Sequence, residues 1–567
     1  IQHGGDVVKT RISAVVALVL AFASCTGDPP VPPTLQADVF SWSSADGFIT
    51  GLPPLDDSQS VRIKITQPLD RKVVESETAP TSDRQLALPD IPFGENLRLD
   101  FEVLDGNGDV LASGATPRFD FSASDTLRNF RVQVAPVSSF APVGSVVVDR
   151  NTQERKFSWS RFDYRGKEGT SWLGRTGHAT AATADGRILV VGGGDPVPGA
   201  AASTLPEFRS VYDDIQIFDP DTGYFTDLAF DESAGALLAE GKDRLFEPVV
   251  FHTLTPLGGD RFLVVGGFTP RSAVMRPVNT VQIIDLNAPA GTRVQRLVDA
   301  QGSALVLNKA RGWHTATYRS LDQHVVIAGG VGPSGDDDVL GTFEMIDLAS
   351  NAVYSETFEL QEARAQHGAV LMADGRTVWL LGGRGAEEVL TSTEIVQLAE
   401  GGTTESAAEA TMRVPRFGLG AVRMTPGGGQ LVLVVGGFTD LEGGVTDTFE
   451  ISRLGRGSFE SGTQWTLHVA RGGVRALELP QSQNVVVLGG RGEDGATVPT
   501  AERLVFDDLT ASPPYAPELS AEAATPRFRP SVDVLSTGQL LLIGGEGELD
   551  GNEAGLDSAD LYHPLDP

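Results

Sequence analysis

Four histidines are the residues whose type and spacing point most directly to chemistry. His178, His252, His314 and His367 each lie 14 or 15 residues before a glycine pair. Imidazole nitrogens are common ligands of zinc and copper, so histidines at one recurrent position could encircle a metal ion. A residue that a repeat retains more often packs or hydrogen-bonds in the same way in each copy. We favour the packing interpretation and predict no metal ligand and no catalytic residue here.

Acidic loops suggest a second kind of site. Asp105–Asp109 places oxygen atoms at alternate positions, as calcium loops do. It lacks the distal glutamate and lies between two strand-like runs, so a hairpin turn with its typical Asp-Gly and Asn-Gly pairs explains it better. Asp336–Asp338 and the acidic residues of 546–557 could bind Ca²⁺. We expect no cofactor, with Ca²⁺ as the one that the sequence leaves open.

Common catalytic and nucleotide-binding motifs are either absent from the sequence or poorly placed. Gly330–Gly335 and Gly490–Gly495 match a dinucleotide-binding fingerprint, but neither opens a helical pattern, and their carboxylates would repel a pyrophosphate. The sequence contains no Gly-x-Ser-x-Gly elbow and no His-Glu-x-x-His pair. These observations favour a binding protein over an enzyme.

Seven glycine pairs indicate the elements that would position these residues. Each pair ends an apolar run rich in Val, Ile and Leu, as expected of a strand buried on both faces. The last five pairs are 53 to 55 residues apart, and the first two repeats carry insertions. A period near fifty residues is typical of propeller blades or solenoid units. The pairs are Gly192 and Gly193, Gly266 and Gly267, Gly329 and Gly330, Gly382 and Gly383, Gly436 and Gly437, Gly489 and Gly490, and Gly544 and Gly545.

Two further marks recur in each unit. An arginine precedes six of the seven glycine pairs by 17 to 20 residues, and the second repeat lacks it; these are Arg175, Arg311, Arg364, Arg416, Arg471 and Arg527. A later strand carries one polar residue among apolar ones, namely Gln216, Gln282, Glu344, Glu394, Glu450, Glu502 and Asp560. We interpret the acidic members of this set as acceptors of hydrogen bonds between strand and loop.

The three marks resemble the kelch repeat, and seven ordered copies make the resemblance specific. It covers residues 156–567 and implies an all-β fold with a seven-bladed kelch-type β-propeller. The last repeat stops after its third strand, so we predict that Lys156–Phe162, with its alternating apolar residues, completes the final blade. A resemblance to copper radical oxidases would require a tyrosine cross-linked to a cysteine, and the propeller has no cysteine.

The resemblance also implies where a ligand binds. In kelch proteins that bind peptides, residues directly after the glycine pair face the ligand, and here Arg384, Arg491, Phe268 and Phe438 hold that position. Arginine and aromatic side chains are typical of binding hot spots, which suits a protein or a glycan ligand. The alternative is that they are ordinary exposed loop residues.

The beginning of the sequence indicates export. An apolar run from Ile12 to Ala23 follows two basic residues and is too short to span a bilayer, so we interpret residues 1–24 as a signal peptide. Cys25 is the only cysteine, and its context resembles a bacterial lipobox, which makes it the expected site of lipid attachment. The alternative is ordinary signal-peptide cleavage after residues 21–23, which would leave Cys25 as a free thiol. Thr26 next to it favours, by the same resemblance, the outer membrane of a bacterial cell envelope, on its periplasmic or surface side.

Two segments separate this anchor from the propeller. Residues 25–35 are rich in proline and predict an extended tether. Residues 36–136 predict a small immunoglobulin-like or fibronectin-like β-sandwich, and 137–155 a linker. The sandwich prediction rests on alternating apolar residues, which are Val61, Ile63, Ile65, Leu97, Leu99, Phe101, Val103, Phe130, Val132 and Val134.

The net charge of the chain limits the classes of partner that the protein could bind. The formal net charge of −31, from 75 acidic and 44 basic side chains, argues against nucleic acid and against anionic lipid surfaces. We therefore expect membrane contact through the lipid alone. The sequence predicts a monomeric, membrane-tethered lipoprotein whose propeller is a binding or scaffold head for a protein or glycan ligand. The alternative is a carbohydrate-active periplasmic enzyme that resembles kelch sialic acid mutarotases.

Overall fold

The computed structural model describes residues 34–564 with internal gaps. The gaps are 44–46, 51–58, 68–70, 79–90, 93, 117, 123–126, 144, 149–154, 159–173, 221–223, 232–235, 273, 355–356, 399–403, 425–430, 462–464, 480–481, 483, 507–515, 524, 550–551 and 557. Within these bounds the regular elements are all β-strands, and no helix that could cross a membrane is present. The predicted signal peptide, Cys25 and most of the tether lie outside the described residues.

The N-terminal module is one hydrogen-bonded sheet. Its strands are β1 (Thr34–Ser43), β2 (Gly47–Thr50), β3 (Ser60–Gln67), β4 (Arg71–Thr78), β5 (Gly94–Leu104), β6 (Val110–Ala115), β7 (Phe119–Phe121) and β8 (Leu127–Pro136). They follow the order β2-β1-β8-β6-β5-β3-β4, with β7 beside β5. Only the β1–β8 pair is parallel among these contacts, and the rest are antiparallel.

Side-chain alternation builds the core of this module. Val61, Ile63 and Ile65 are fully buried, while Arg62 and Lys64 between them are half-buried, because successive residues of a strand face opposite sides. Strand β8 pairs with β1 along most of its length and with β6 at its end, so the strands form one continuous path. The immunoglobulin-like or fibronectin-like sandwich stays a prediction.

The connection to the propeller differs from the predicted linker. Strand β9 (Ser139–Pro142) follows β8 after two residues, and β10 (Ser145–Val148) pairs with β11 (Arg155–Ser158) as a separate ribbon.

The strands of the seven repeats come next. They are β12 (Ala179–Ala182), β13 (Ile188–Val191), β14 (Gly194–Pro196), β15 (Phe208–Val211), β16 (Ile215–Asp219), β17 (Tyr224–Asp227), β18 (Phe230–Asp231), β19 (Ala236–Leu237), β20 (Thr253–Gly258), β21 (Arg261–Val265), β22 (Phe268–Arg271), β23 (Val274–Pro277), β24 (Val281–Asp285), β25 (Val294–Arg296), β26 (Thr315–Arg319), β27 (His324–Ala328), β28 (Thr342–Asp347), β29 (Ala352–Val353), β30 (Phe358–Glu359), β31 (Gly368–Leu371), β32 (Val378–Leu381), β33 (Ser392–Leu398), β34 (Thr404–Thr411), β35 (Gly420–Met424), β36 (Leu431–Val435), β37 (Phe449–Arg453), β38 (Arg475–Glu478), β39 (Val485–Leu488), β40 (Thr500–Val505), β41 (Ala516–Glu522), β42 (Ser531–Val534), β43 (Leu540–Ile543), β44 (Glu546–Leu549), β45 (Asn552–Gly555) and β46 (Ala559–His563).

Each glycine pair directly follows the second strand of a separate antiparallel sheet. The first repeat runs in the order β12-β13-β16-β17, and the other repeats follow the same plan with three to five strands. First strands of consecutive repeats contact one another from β12 to β38, and β42 of the last repeat contacts β12 of the first. The sheets therefore surround a common axis, and the predicted all-β propeller is confirmed.

The last sheet is completed by β9, so the prediction that Lys156–Phe162 completes it is wrong. Its order is β42-β43-β46-β9, with Phe140 of β9 opposite Tyr562. The predicted segment instead begins in β11, which pairs with β10. Strand β9 has only four residues and lies between prolines, which is why its sequence looks like a linker; an outermost strand tolerates proline because one of its edges needs no hydrogen-bond donor.

A ring of main-chain hydrogen bonds joins the repeats independently of β9. The main-chain N–H of the second glycine in each pair donates to one main-chain carbonyl of the next repeat, at 2.8 to 2.9 Å. The acceptors are Val249, Arg311, Arg364, Arg416, Arg471, Arg527 and Arg175 in turn. Because the last repeat donates to Arg175 of the first, the ring is closed.

Candidate ligand site at the propeller axis

Glycine is required at both positions of each pair by the backbone φ angles and by the small distance to the neighbouring blade. The first glycine has φ between 55° and 66° and the second between 92° and 109°, a region that other residues rarely adopt. A Cβ on Gly266 would lie 2.5 Å from the Arg311 carbonyl oxygen and 2.8 Å from the His314 ring. A larger residue would therefore separate two neighbouring blades.

The recurrent arginines tie each glycine pair to the acidic strand of the same blade. Arg311 Nη1 donates to the Gly329 carbonyl at 2.7 Å, and its Nη2 donates to Glu344 Oε1 at 2.7 Å. Glu344 also accepts the main-chain N–H groups of Asn308 and Lys309, at 2.6 and 3.0 Å. The same arrangement recurs for Arg364 with Glu394, Arg416 with Glu450 and Arg471 with Glu502. These residues brace the blade and are not accessible to a ligand.

The first two repeats depart from this pairing of an arginine with an acidic residue, and they do so in different ways. In the first repeat Arg175 pairs with Asp214 at 2.9 Å, and Gln216, the residue that the pattern selects, donates to that same carboxylate. In the second repeat the arginine position is Val249, and Gln282 replaces the acid. Both charges are lost together, because a buried carboxylate without a cation would be costly.

The four histidines link neighbouring blades. His178, His314 and His367 each place Nε2 2.7 to 3.2 Å from a Ser or Thr hydroxyl at the start of the preceding inner strand. Burial lowers the pKa of His314 to about 3 and that of His252 to about 4, so the rings are neutral at pH 7. The geometry is that of packed side chains, three of which hydrogen-bond to a neighbouring blade.

His252 has no Ser or Thr hydroxyl opposite its ring, whereas the other three histidines each have one on the neighbouring blade. The equivalent residue of the preceding blade is Ala179, and neither ring nitrogen of His252 has a partner within the described residues. We predict that Ala179→Ser raises the free energy of unfolding by about 1 kcal/mol, the net value of one such hydrogen bond. Urea denaturation measures it. Ala181→Ser on the same strand is the control, because it buries a hydroxyl in an apolar cluster and should lower stability.

The four predicted ligand residues lie close to the axis but are mostly buried. Phe268, Phe438 and Arg384 are 2%, 4% and 2% exposed, and the Arg491 side chain is 13% exposed. The alternative interpretation, ordinary exposed loop residues, is therefore wrong for these positions. Arg384 lies 5.6 Å from the Trp313 ring and donates to the Asp336 carbonyl at 3.0 Å. Their part in ligand binding stays a prediction.

Sequence reasoning missed a ring of residues next to them, which we call the axial ring. It consists of the residue two positions after each recurrent arginine or Val249, namely Gly177, Phe251, Trp313, Gln366, Gly418, Gly473 and Arg529. All seven have φ between 51° and 69°. Main-chain hydrogen bonds connect them in sequence from Gly177 to Gly473. Bulky residues in this conformation are strained, and such strain is concentrated at functional sites.

Arg529 is the cation of the axial ring. Its guanidinium lies 4.6 Å from the Phe528 ring and 5.5 Å from the Phe251 ring, and 3.5 Å from Glu546. The Arg491 guanidinium lies 4.3 Å from the same Phe528 ring and 3.5 Å from the same carboxylate. Burial lowers the pKa of Arg529, an effect that the Glu546 charge opposes. Two guanidinium groups and one carboxylate thus leave a net positive charge between aromatic walls.

A loop from the first repeat lies over the axial ring; we call residues 197–207 the axial loop. It connects β14 to β15, and Ala202 and Ser203 near its tip are only 7% and 8% exposed. The Ala202 carbonyl accepts from Arg529 Nη2 at 2.6 Å and from Gln366 Nε2 at 3.3 Å. This loop accounts for part of the long first repeat, and it covers the site that the ring would otherwise present.

A buried carboxyl on the inner strands was also not anticipated. Burial raises the pKa of Asp533 to about 6, although a hydrogen bond from Thr180 and the charge of Arg475 both act to lower this pKa. Its Oδ2 atom has no hydrogen-bond partner within the described residues. The three residues belong to neighbouring blades, so a group that can gain or lose a proton near neutral pH lies among the inner strands.

The acidic side chains accept main-chain hydrogen bonds. Asp105 accepts the N–H groups of Asn107 and Asp109, and Gly108 has φ of 90°, in the hairpin between β5 and β6. Asp336 and Asp338 accept main-chain N–H groups of Leu205 and Ser334. In the part of the chain that the structure describes, no group of three or more His, Cys, Asp or Glu side chains could hold a metal ion.

A cavity of about 430 Å³ lies between the N-terminal module and the last blade. Its charged residues pair with one another: Arg62 and Lys64 contact Glu102, and Arg98 contacts Asp100 at 2.9 Å. The charges are therefore matched within the protein.

The comparisons with known proteins concern the fold. No protein-family model and no curated protein matches the chain. A solved structure described as that of YjhT is 11% identical with a TM-score of 0.40, covering 61% of this chain and 98% of the other. The copper complex of a novel fungal alcohol oxidase of the AA5 family is 14% identical with a TM-score of 0.48, covering 70% and 75%. At such identities the ligand site has to be argued from its own geometry.

Proposed function

We propose that this protein is a binding protein whose ligand site is the axial ring of the propeller. The observation that carries the proposal is Arg529, a guanidinium held between two aromatic rings that directs Nη2 to an acceptor on the axis. Aromatic residues and arginine in a largely desolvated site are typical of hot spots for proteins and glycans. The recurrent arginines brace the blades, and three of the four histidines hydrogen-bond between blades.

The proposal includes the lipid anchor. Cys25 would carry the lipid, the proline-rich segment 25–35 would act as a tether and the N-terminal module as a spacer, at the bacterial outer membrane. This rests on the lipobox resemblance and on the strongly acidic composition, which disfavours direct contact with anionic lipid. The propeller would then reach ligands in the cell envelope as a monomer.

We predict that Arg529→Met weakens ligand binding about thirtyfold, since loss of a hot-spot residue costs about 2 kcal/mol or more. The purified full chain would be screened against glycan arrays and envelope-protein extracts, and affinities measured by calorimetry. Arg456→Ala is the matched control, because that arginine is 60% exposed on a strand-connecting turn.

Two outcomes would contradict this function. One is a ligand whose affinity Arg529→Met leaves unchanged. The other is catalytic interconversion of sugar anomers, seen by NMR and lost in Asp533→Asn, which would support the carbohydrate-active enzyme instead.

The anchor has its own test. We predict that cells expressing the protein incorporate radiolabelled palmitate into it and retain it in the membrane fraction, and that Cys25→Ser abolishes both. Release of an unlabelled wild-type protein into the soluble fraction would show ordinary signal cleavage.

A further inference from the structure

The axial loop makes more contacts than a connection between two strands requires. Besides the two hydrogen bonds at Ala202, Ser203 Oγ donates to the Leu441 carbonyl at 2.9 Å. The Leu205 N–H donates to Asp336 Oδ2 at 3.2 Å. The hydrogen-bond partners belong to four other blades and lie 131 to 327 residues away in the chain. The loop therefore spans the axis.

Small residues let the tip enter the narrow space above the axial ring. Between Pro198 and Pro206 the sequence is Gly-Ala-Ala-Ala-Ser-Thr-Leu. The Ala202 methyl group packs with Phe417, Phe438 and Phe528. A turn closed by the Thr204 N–H to the Ala201 carbonyl, at 3.1 Å, directs the Ala202 carbonyl towards Arg529.

The contacts of this tip are those of a bound peptide. A main-chain carbonyl accepts from a guanidinium and a side-chain amide, an alanine methyl occupies an aromatic pocket, and a hydroxyl donates to a carbonyl on the rim. Arg384 contributes indirectly, since it holds the Asp336 main chain whose carboxylate receives the Leu205 N–H. None of these contacts requires a charge on the tip.

We propose that the axial loop is a built-in occupant of the ligand site, and that the site accepts an uncharged, small-residue turn of a partner protein in its place. This inference deepens the proposed function, since it takes the axial ring to be the ligand site. A tethered segment competes at an effective concentration of roughly 1 mM. The loop thus sets a threshold that a partner must exceed by affinity or by local concentration.

The test uses a fluorescein-labelled peptide of residues 197–207 and two variants of the full chain. In the first, residues 198–206 are replaced by Asn-Gly, a two-residue turn that suits the hairpin closed by the Val197 N–H and the Glu207 carbonyl at 2.7 Å. In the second, Ala202→Trp puts a bulky side chain where a methyl group lies and should expel the tip without shortening the chain. Binding is followed by fluorescence anisotropy, and melting curves verify folding.

We expect the shortened variant to bind the peptide roughly a hundredfold more tightly than the wild-type protein. Adding Arg529→Met to the shortened variant should weaken this binding about thirtyfold, and a control peptide carrying Ala202→Trp should not bind. If the shortened variant does not fold, Ala202→Trp in the full chain should show the same gain. A folded variant that does not bind the peptide, or equal affinity for the wild-type protein, would overturn the inference.

The outcomes separate this inference from the proposed function. Peptide binding by the opened variants with no external ligand in any screen would support the loop as occupant and count against the function. A glycan or protein that binds wild-type and shortened chains equally, through Arg529, would support the function and overturn the inference.

Discussion

Disrupting Ser139–Pro142 should destabilise the last blade of the propeller, whereas the same treatment of Arg155–Ser158 should not. In Phe140→Ala with Ala141→Asp, the first change removes a ring that lies 5.0 Å from Tyr562, and the second puts a charge at a fully buried position. We expect a loss of about 4 kcal/mol or more, seen as a melting temperature lower by about 5 °C, since with about 2.1 cal/mol/K of unfolding entropy per residue each kcal/mol shifts a domain of this length by roughly 1 °C. Differential scanning calorimetry measures the shift.

The control is Lys156→Asp with Phe157→Ala, in the segment that sequence reasoning selected. Its ribbon with β10 does not touch the hydrogen-bonding edge of β46, because β9 already occupies that edge. Limited proteolysis adds a local readout, since a last blade that has lost its outermost strand should be cleaved first. Greater destabilisation by the control pair would restore the original prediction and contradict the observed pairing.

Repetition explains what the sequence could predict. A mark that recurs in seven copies reports a shared local geometry, such as the two positive φ angles that only glycine tolerates without strain. The arginine and acid positions follow from the same logic, because each blade must satisfy the same main-chain groups. The closing strand occurs once, has four residues and follows Pro136, so neither periodicity nor alternation reveals it.

The axial ring was predictable only in part, because it is built from the residues that differ between repeats. The four positions after the glycine pairs lie next to the axial ring but do not include Arg529. Aligning the residue two positions after each arginine would have shown Arg529 and Trp313 where other copies have glycine. Nothing in the small residues of the axial loop indicates that they cross to four other blades, since that contact depends on closure of the ring.

The buried ion pair of the fourth repeat, Arg364 with Glu394, should be costly to break. We predict that Arg364→Val or Glu394→Gln alone lowers the free energy of unfolding by about 3 to 5 kcal/mol, because each leaves a buried partner uncompensated. Arg364→Val with Glu394→Gln should recover part of the loss. The second repeat supports this expectation, since Val249 and Gln282 already occupy the equivalent positions there. A double-mutant cycle in urea gives the coupling energy, and additive losses would contradict the pairing.

The same pair predicts a pH dependence. Burial acts to raise the pKa of Glu394, but the Arg364 charge and hydrogen bonds from Gln361, Ser406 and Arg364 outweigh it, so the pKa lies below its usual value of 4.5. A carboxylate with a lowered pKa in the folded state contributes stability above pH 4.5, and this contribution is lost as the pH falls towards the folded pKa. We expect the difference in unfolding free energy between wild type and Glu394→Gln to shrink below pH 4.5. A difference that stays constant on acidification would show that the negative charge is not what holds the arginine.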